Sequence, residues 1–168
     1  QYLDDADVRA VVEALRSDWL TQGPRIDAFE EAVAAYCGAS WGVAFSSGTA
    51  ALHAACACLD LSPGDEVVTS PITFLASANA PYHCGAKPVF ADVEEDTVNL
   101  SPASLEAAVT PRTKAVLFVH LFGSMGKMDE IVRVCEKHNL ILVEDAAPAL
   151  GGTYRGKHLG TFGKVGCF

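Results

Sequence analysis

The sequence predicts an α/β fold, a mainly parallel sheet sandwiched by helices, on three observations. Short apolar runs recur from Trp41 onward, helical patterns separate them, and the runs are continuous in apolar character rather than alternating. A strand apolar at successive positions is covered on both faces, and strand–helix–strand order is how parallel sheets are connected. Half of the 168 residues are hydrophobic and the mean hydropathy is +0.22, so a sizeable core can form and disorder is disfavoured. The length suits one domain, or the larger part of a bigger one.

Residues 4–16 and 25–36 read as two helices, with Val8, Val11, Val12 and Leu15 at helical spacing. Residues 1–36 are therefore expected as an N-terminal helical segment and 37–168 as the α/β domain. The strands are expected at "WGVAF" (41–45), "EVVTS" (66–70), "KPVFADV" (87–93), "KAVLFVH" (114–120) and "LILVED" (140–145). Helices are expected between them, near 48–60, 74–84, 101–109 and 128–138. The last carries Asp129 and Glu130 at its start and Lys137 and His138 at its end, which complements the helix dipole.

Composition narrows the function. A formal charge of −9 and a pI near 4.9 give no electrostatic footprint for a phosphate backbone, so nucleic acid is not an expected partner. No apolar run reaches the ~18–20 residues of a membrane span. The opening "QYLDDADVRAVVEAL" is acidic and amphipathic, unlike a signal peptide, so a cytoplasmic location is expected. Six cysteines, at 37, 56, 58, 84, 135 and 167, form no C-x-x-C pair, and most sit in apolar periodic segments. They read as buried reduced thiols. The five histidines show no H-E-x-x-H spacing, and no metal is expected.

In parallel α/β sheets ligands collect at the carboxyl ends of the strands. The residues there are Ser46, Ser47 and Gly48, then Pro71 to Phe74, then His120, then Asp145. A G-x-G-x-x-G turn is absent. "GSMGKM" and "GTFGKV" lack the G-x-x-x-x-G-K-[ST] spacing, so Lys127 and Lys164 read as solvent-facing. "FSSGTAALHAA" is different. A strand end runs through serines and a glycine into a helix start, where free amides and hydroxyls hold a phosphate and glycine lets it come close. The same residues also suit an ordinary Ser/Thr cap. Phe74, in "SPITFLASAN", projects a ring over the same edge or fills the core. With Asp145 at the end of a later strand, the set suits a flat, phosphorylated, cationic heterocycle. Pyridoxal 5'-phosphate (PLP) is such a molecule, and a carboxylate beside its ring nitrogen keeps it protonated as an electron sink.

The segments "SDWLTQGPRIDAFEEAVAAYCGA", "SSGTAALHAA", "PGDEVVTSPITFLASANAPYHCGAKPVFADV", "VHLFGSMGKMDEI" and "VEDAAPALGGTYRGKHLGTFGKVGCF" resemble the DegT/DnrJ/EryC1/StrS family of PLP-dependent sugar aminotransferases. The resemblance runs through nearly the whole chain. It implies the large-domain portion of the type I, aspartate aminotransferase-like fold. It also implies transfer of an amino group from an amino acid, usually L-glutamate, to a nucleotide-linked keto-sugar such as a UDP-linked 4-keto-6-deoxy-N-acetylhexosamine. Homodimers with the active site at the interface are implied too.

By the same resemblance Gly48, Thr49 and Ala50 bind the cofactor phosphate, Phe74 stacks on the ring, and Asp145 pairs with the ring nitrogen. Thr21 and Gln22 resemble a segment near the sugar-nucleotide site, although "TQGP" alone is as easily a turn. His120 is expected at a strand end facing the pocket, for substrate or for structure.

Two departures stand out. The family commonly carries Gln, His or Glu three residues after the aspartate, where this chain has Pro148. The Schiff-base lysine of the family falls a few residues beyond the "GTFGKVGCF" segment, so it and a smaller C-terminal domain are expected to follow Phe168. Two other readings remain open at this point: a pyridoxamine phosphate-dependent sugar dehydratase of the same fold, and a catalytically inert fragment.

Overall fold

The computed structural model describes residues 2–168. They form two compact units, divided between Ala44 and Phe45 rather than at the expected 36/37 junction.

The first unit holds helix α1 (Asp5–Arg16) and helix α2 (Pro24–Cys37). Asp4 starts α1 by a reciprocal cap: its carboxylate accepts from the amides of Ala6 and Asp7, and the Asp7 carboxylate accepts from the Asp4 amide. Pro24 opens α2 where no amide donor is needed, and Gly38 closes it in the left-handed region (φ 71). The strand expected at 41–45 does not form. The Ala44 amide donates to Glu30 Oε1 at 2.7 Å. A Cβ at Gly42 would lie 2.5 Å from the Glu30 carbonyl oxygen. This stretch is latched along α2, and an amide taken by a side chain is not available to a ladder.

The second unit runs, in chain order, α3 (Gly48–Ala57), β1 (Glu66–Thr69), α4 (Ala76–His83), β2 (Lys87–Phe90), α5 (Pro102–Ala108), β3 (Thr113–Val119), α6 (Met128–His138), β4 (Ile141–Asp145), β5 (Thr153–Tyr154), β6 (Lys157–His158) and β7 (Val165–Cys167). A short 3-10 turn, Leu121–Gly123, follows β3. The strands pair in the order β2-β1-β3-β4-β7, and each of these pairings is parallel. β5 and β6 make a small separate hairpin.

Successive strand residues point to opposite faces, and the two faces have separate cores. On one, α3 and α4 lay Leu52, Cys56 and Ala80 against Val67, Leu117, Val119 and Val143. On the other, α5 and α6 lay Leu105, Met128 and Ile131 against Val68, Val116, Phe118 and Leu142. β3 is buried at six of its seven positions, which accounts for its unbroken apolar run.

Strand β7 was not expected from the pattern, since it has three residues with a glycine in the middle. The glycines of "GTFGKVG" serve close packing. A Cβ at Gly163 would overlap the Leu142 carbonyl, and one at Gly166 would overlap the Gly160 carbonyl. The loop is thus wedged against β4 and within itself. Lys164 within it is exposed, and so is Lys127, which pairs with Glu94 at 2.6 Å.

Candidate functional site

At the carboxyl ends of β3 and β4 a cavity of about 480 Å³ opens, built entirely from the second unit. Three elements converge on it. Helix α3 presents Gly48 and Thr49 from its first turn, the loop after β1 presents Thr73 and Phe74, and β4 delivers Asp145. Leu121 and Phe122 from the turn after β3, with Ala147 and Pro148 after β4, add to the walls.

Ser47 caps α3, its Oγ accepting from the Ala50 amide at 3.2 Å. The expected phosphate cradle therefore changes in one respect. Ala50 has its amide committed to Ser47 and does not line the cavity, which leaves Gly48 and Thr49 as the donors that face it. Amides at the start of a helix have no partner within it, and the dipole favours an anion there. Gly48 has no packing demand of its own. A Cβ there would meet nothing nearer than the Phe168 carbonyl oxygen at 3.9 Å. The missing side chain keeps space clear in front of the helix.

Asp145 is 5 % exposed. Its Oδ2 accepts from Ser77 Oγ at 2.8 Å and its Oδ1 from the Ala147 amide at 3.3 Å. Cys167, opposite it on β7, has its thiol pushed up to about 12, by burial first and then by the charge of Asp145. Phe74 is 75 % exposed on the cavity rim rather than in the core. Phe122 also stands exposed, with a left-handed backbone (φ 55) that a bulky residue seldom adopts.

His120 does not face this cavity. It is fully buried on the α5/α6 side, edge-on to Phe118, with Nε2 2.7 Å from Glu144 Oε2. The reason is the strand period: Val119 takes the cavity side, so its neighbour takes the other. Glu144 also accepts from the amides of Gly160 and Gly163. Thr21 and Gln22 lie in the first unit, exposed between α1 and α2, with Gln22 in the left-handed region (φ 49).

Sequence reasoning missed Ser77 and Phe122, and it placed Thr73 at the strand end within Pro71 to Phe74 without giving it a role. Ser77 and Asp145 are 68 positions apart, and no spacing rule joins them. A larger hollow of about 610 Å³ lies between the end of α6 and the start of β4. It is lined by Val132, Leu140 and Phe162 among others, has no helix N-terminus, and sits away from the carboxyl ends of the strands.

A parallel sheet with a helix N-terminus, an aromatic rim and a buried carboxylate gathered around one cavity at its carboxyl edge defines the class of this α/β unit. The model of the DegT/DnrJ/EryC1/StrS aminotransferase family matches residues 1–168, and the chain belongs to that family. It is 48 % identical over 162 residues to the spore coat polysaccharide biosynthesis protein SpsC of Bacillus subtilis (strain 168), covering 96 % of this chain and 42 % of SpsC. It is 45 % identical to the GDP-perosamine synthase of Caulobacter vibrioides, covering 99 % of this chain and 45 % of that one. Among solved structures it superimposes on Spr1654 of Streptococcus pneumoniae, known in PLP, PMP and apo forms. The TM-score to the PLP form is 0.93 at 33 % identity, over 96 % of this chain and 45 % of that one. The chain thus spans less than half the length of these relatives.

Proposed function

We propose that the protein carrying this chain is a PLP-dependent aminotransferase. It would move an amino group from an amino acid, L-glutamate, to a nucleotide-linked 4-keto-6-deoxy sugar for amino-sugar and polysaccharide biosynthesis. The observation that carries this reading is the convergence of the Gly48–Thr49 helix start, Phe74 and Asp145 on one cavity.

The residues fit the cofactor by their chemistry. A helix N-terminus with open space before Gly48 suits a phosphate. An exposed aromatic ring suits a flat heterocycle, and a buried carboxylate with one protein donor on each oxygen keeps acceptor capacity for a ring N–H. When bound, PLP would supply an electron-withdrawing ring that stabilises negative charge at the carbon bearing the amine. The chain's own work is then to hold the phosphate on Gly48 and Thr49, to lay Phe74 against the ring, and to keep a proton at the ring nitrogen through Asp145. Leu121 and Phe122 border that end of the cavity. Pro148 borders the cavity and offers no side-chain donor, so it contributes shape alone.

The sugar is proposed as a UDP-linked N-acetylhexosamine from the "SPITFLASANAPYHCGAKPVFADV" stretch, while the likeness to GDP-perosamine synthase places GDP-linked sugars next in line for testing. A cytoplasmic homodimer belongs to the same reading. The dimer is supported by Val8, Val11 and Leu15, which leave an apolar stripe of α1 exposed in the first unit. The test is to purify the full-length protein, record the absorbance of added PLP, and follow amino transfer from glutamate to UDP- and GDP-linked 4-keto-6-deoxy sugars by mass spectrometry. Amine product with either nucleotide supports the reading. Absence of PLP binding overturns it.

A further inference from the structure

Asp145 is the end of a chain of hydroxyls. Ser77, in the first turn of α4, is fully buried, and its Oγ donates to Asp145 Oδ2 at 2.8 Å. The same Oγ lies 3.0 Å from Thr73 Oγ1. A serine hydroxyl has one proton to give. With that proton directed to the carboxylate, the donor in the second bond is Thr73. The direction is therefore set: Thr73 O–H to Ser77 Oγ, and Ser77 O–H to Asp145. The Ala147 amide closes on the other oxygen. Such a chain is satisfied when Asp145 accepts at both oxygens, as a carboxylate does.

Capping does not account for Ser77. The start of α4 has no side-chain cap bond, and the hydroxyl leaves its own helix for β4. Nor do the hydroxyls exhaust the carboxylate, because each oxygen has one protein donor and a second lone pair. Bonds in series polarise one another, so Thr73 is felt at Asp145 without touching it.

We infer that Ser77 and Thr73 are positioning residues that aim and polarise Asp145 toward a cationic N–H of the bound ligand. This rests on the PLP reading, in which that N–H is the protonated ring nitrogen.

The test is a cycle of dissociation constants on the full-length protein. The probes are pyridoxamine 5'-phosphate and its 1-deaza analogue, in which the ring N–H is replaced by C–H. The wild type is expected to prefer the nitrogen ring, and Ser77→Ala to cut that preference by about tenfold, as for loss of a bond to a charged group. Thr73→Val is expected to cut it by about threefold and Thr73→Ser to restore it. A purely structural role weakens both probes equally, so an unchanged preference in Ser77→Ala overturns the relay and leaves the cofactor reading standing. If Ser77→Ala does not fold, the near-isosteric Thr73→Val decides on the same criterion. A wild type that binds neither probe overturns both readings together.

Discussion

Glu144 and Asp145 are adjacent carboxylates on β4, both buried, yet their side-chain partners have no residue in common. Glu144, on the α5/α6 face, is closed in by His120 and by the amides of Gly160 and Gly163. Asp145, on the α3/α4 face, has one donor on each oxygen and a cavity in front of it. Burial does not separate the two acids. The donors and the surroundings do: three protein donors meet Glu144 and two meet Asp145, and a carboxylate with a lone pair free on each oxygen beside a cavity can hold a ligand.

The comparison can be broken most directly by exchanging the consequences of the two acids. On the proposed function, Asp145→Ala is expected to lower turnover by the full-length protein by at least about 10²–10³-fold, the scale for removing one preorganised electrostatic partner. Its far-ultraviolet circular dichroism should stay that of the wild type. Activity within a few-fold of wild type would remove Asp145 from the site. Glu144→Ala should do the reverse. It strands two amides and a histidine in the interior, and the expected loss is about 3–5 kcal/mol of unfolding free energy by urea titration. An unfolding midpoint equal to wild type would show that the loop before β7 is held by something else.

Smaller effects sharpen the picture. Phe74→Ala should weaken PLP binding by about fivefold, the scale of one ring contact, with no change in thermal midpoint because the ring is exposed. The amino end of the sheet gives a pH test. Hydrogen bonds from Thr110 and then Arg112 hold the Glu66 carboxyl below its ordinary value of 4.5. A group depressed in the folded state contributes stability above its unfolded value and loses it as pH falls through the folded one. The urea midpoint should therefore drop as pH falls below about 4.5, and Glu66→Gln should flatten that acid limb. The two faces should look alike to a thiol reagent. Burial pushes Cys56 and Cys167 on one face and Cys135 on the other up to about 12, which leaves them protonated at pH 8. Exposed Cys58 is expected to be alkylated first by mass spectrometry, and these three after unfolding.

Several elements were legible because their signals are local. Helix α6 runs over the expected 128–138, with acids in its first turn, bases in its last and Asn139 closing it in the left-handed region. Its limits are written within one or two turns of themselves. The apolar strands, and Asp145 at the end of one, followed from the same kind of reading. The strand expected at 41–45 failed because a strand exists by its neighbour, and here the Ala44 amide has a glutamate instead. The expected facing of His120 toward the pocket failed by one position of alternation, which decides the face and cannot be read from an unbroken apolar run, while its burial against Glu144 fits the structural role also left open for it. Ser77 carried no signal and Thr73 only that of a strand end, since their meaning lies in the bond Ser77 makes to a residue far along the chain.

Taken by itself, the amino-acid order determined the α/β class, the strand ends where polar groups gather, and the motif that placed Asp145 among them. These are properties of hydrophobic period and of helix and turn chemistry, and they act over a few residues. Only the tertiary structure decided how donors divide between the two adjacent acids, that Ala50 gives its amide to Ser47, and which hydroxyls stand behind Asp145. Those outcomes depend on ladder register and on which helix covers which face, and both are set when distant segments pack.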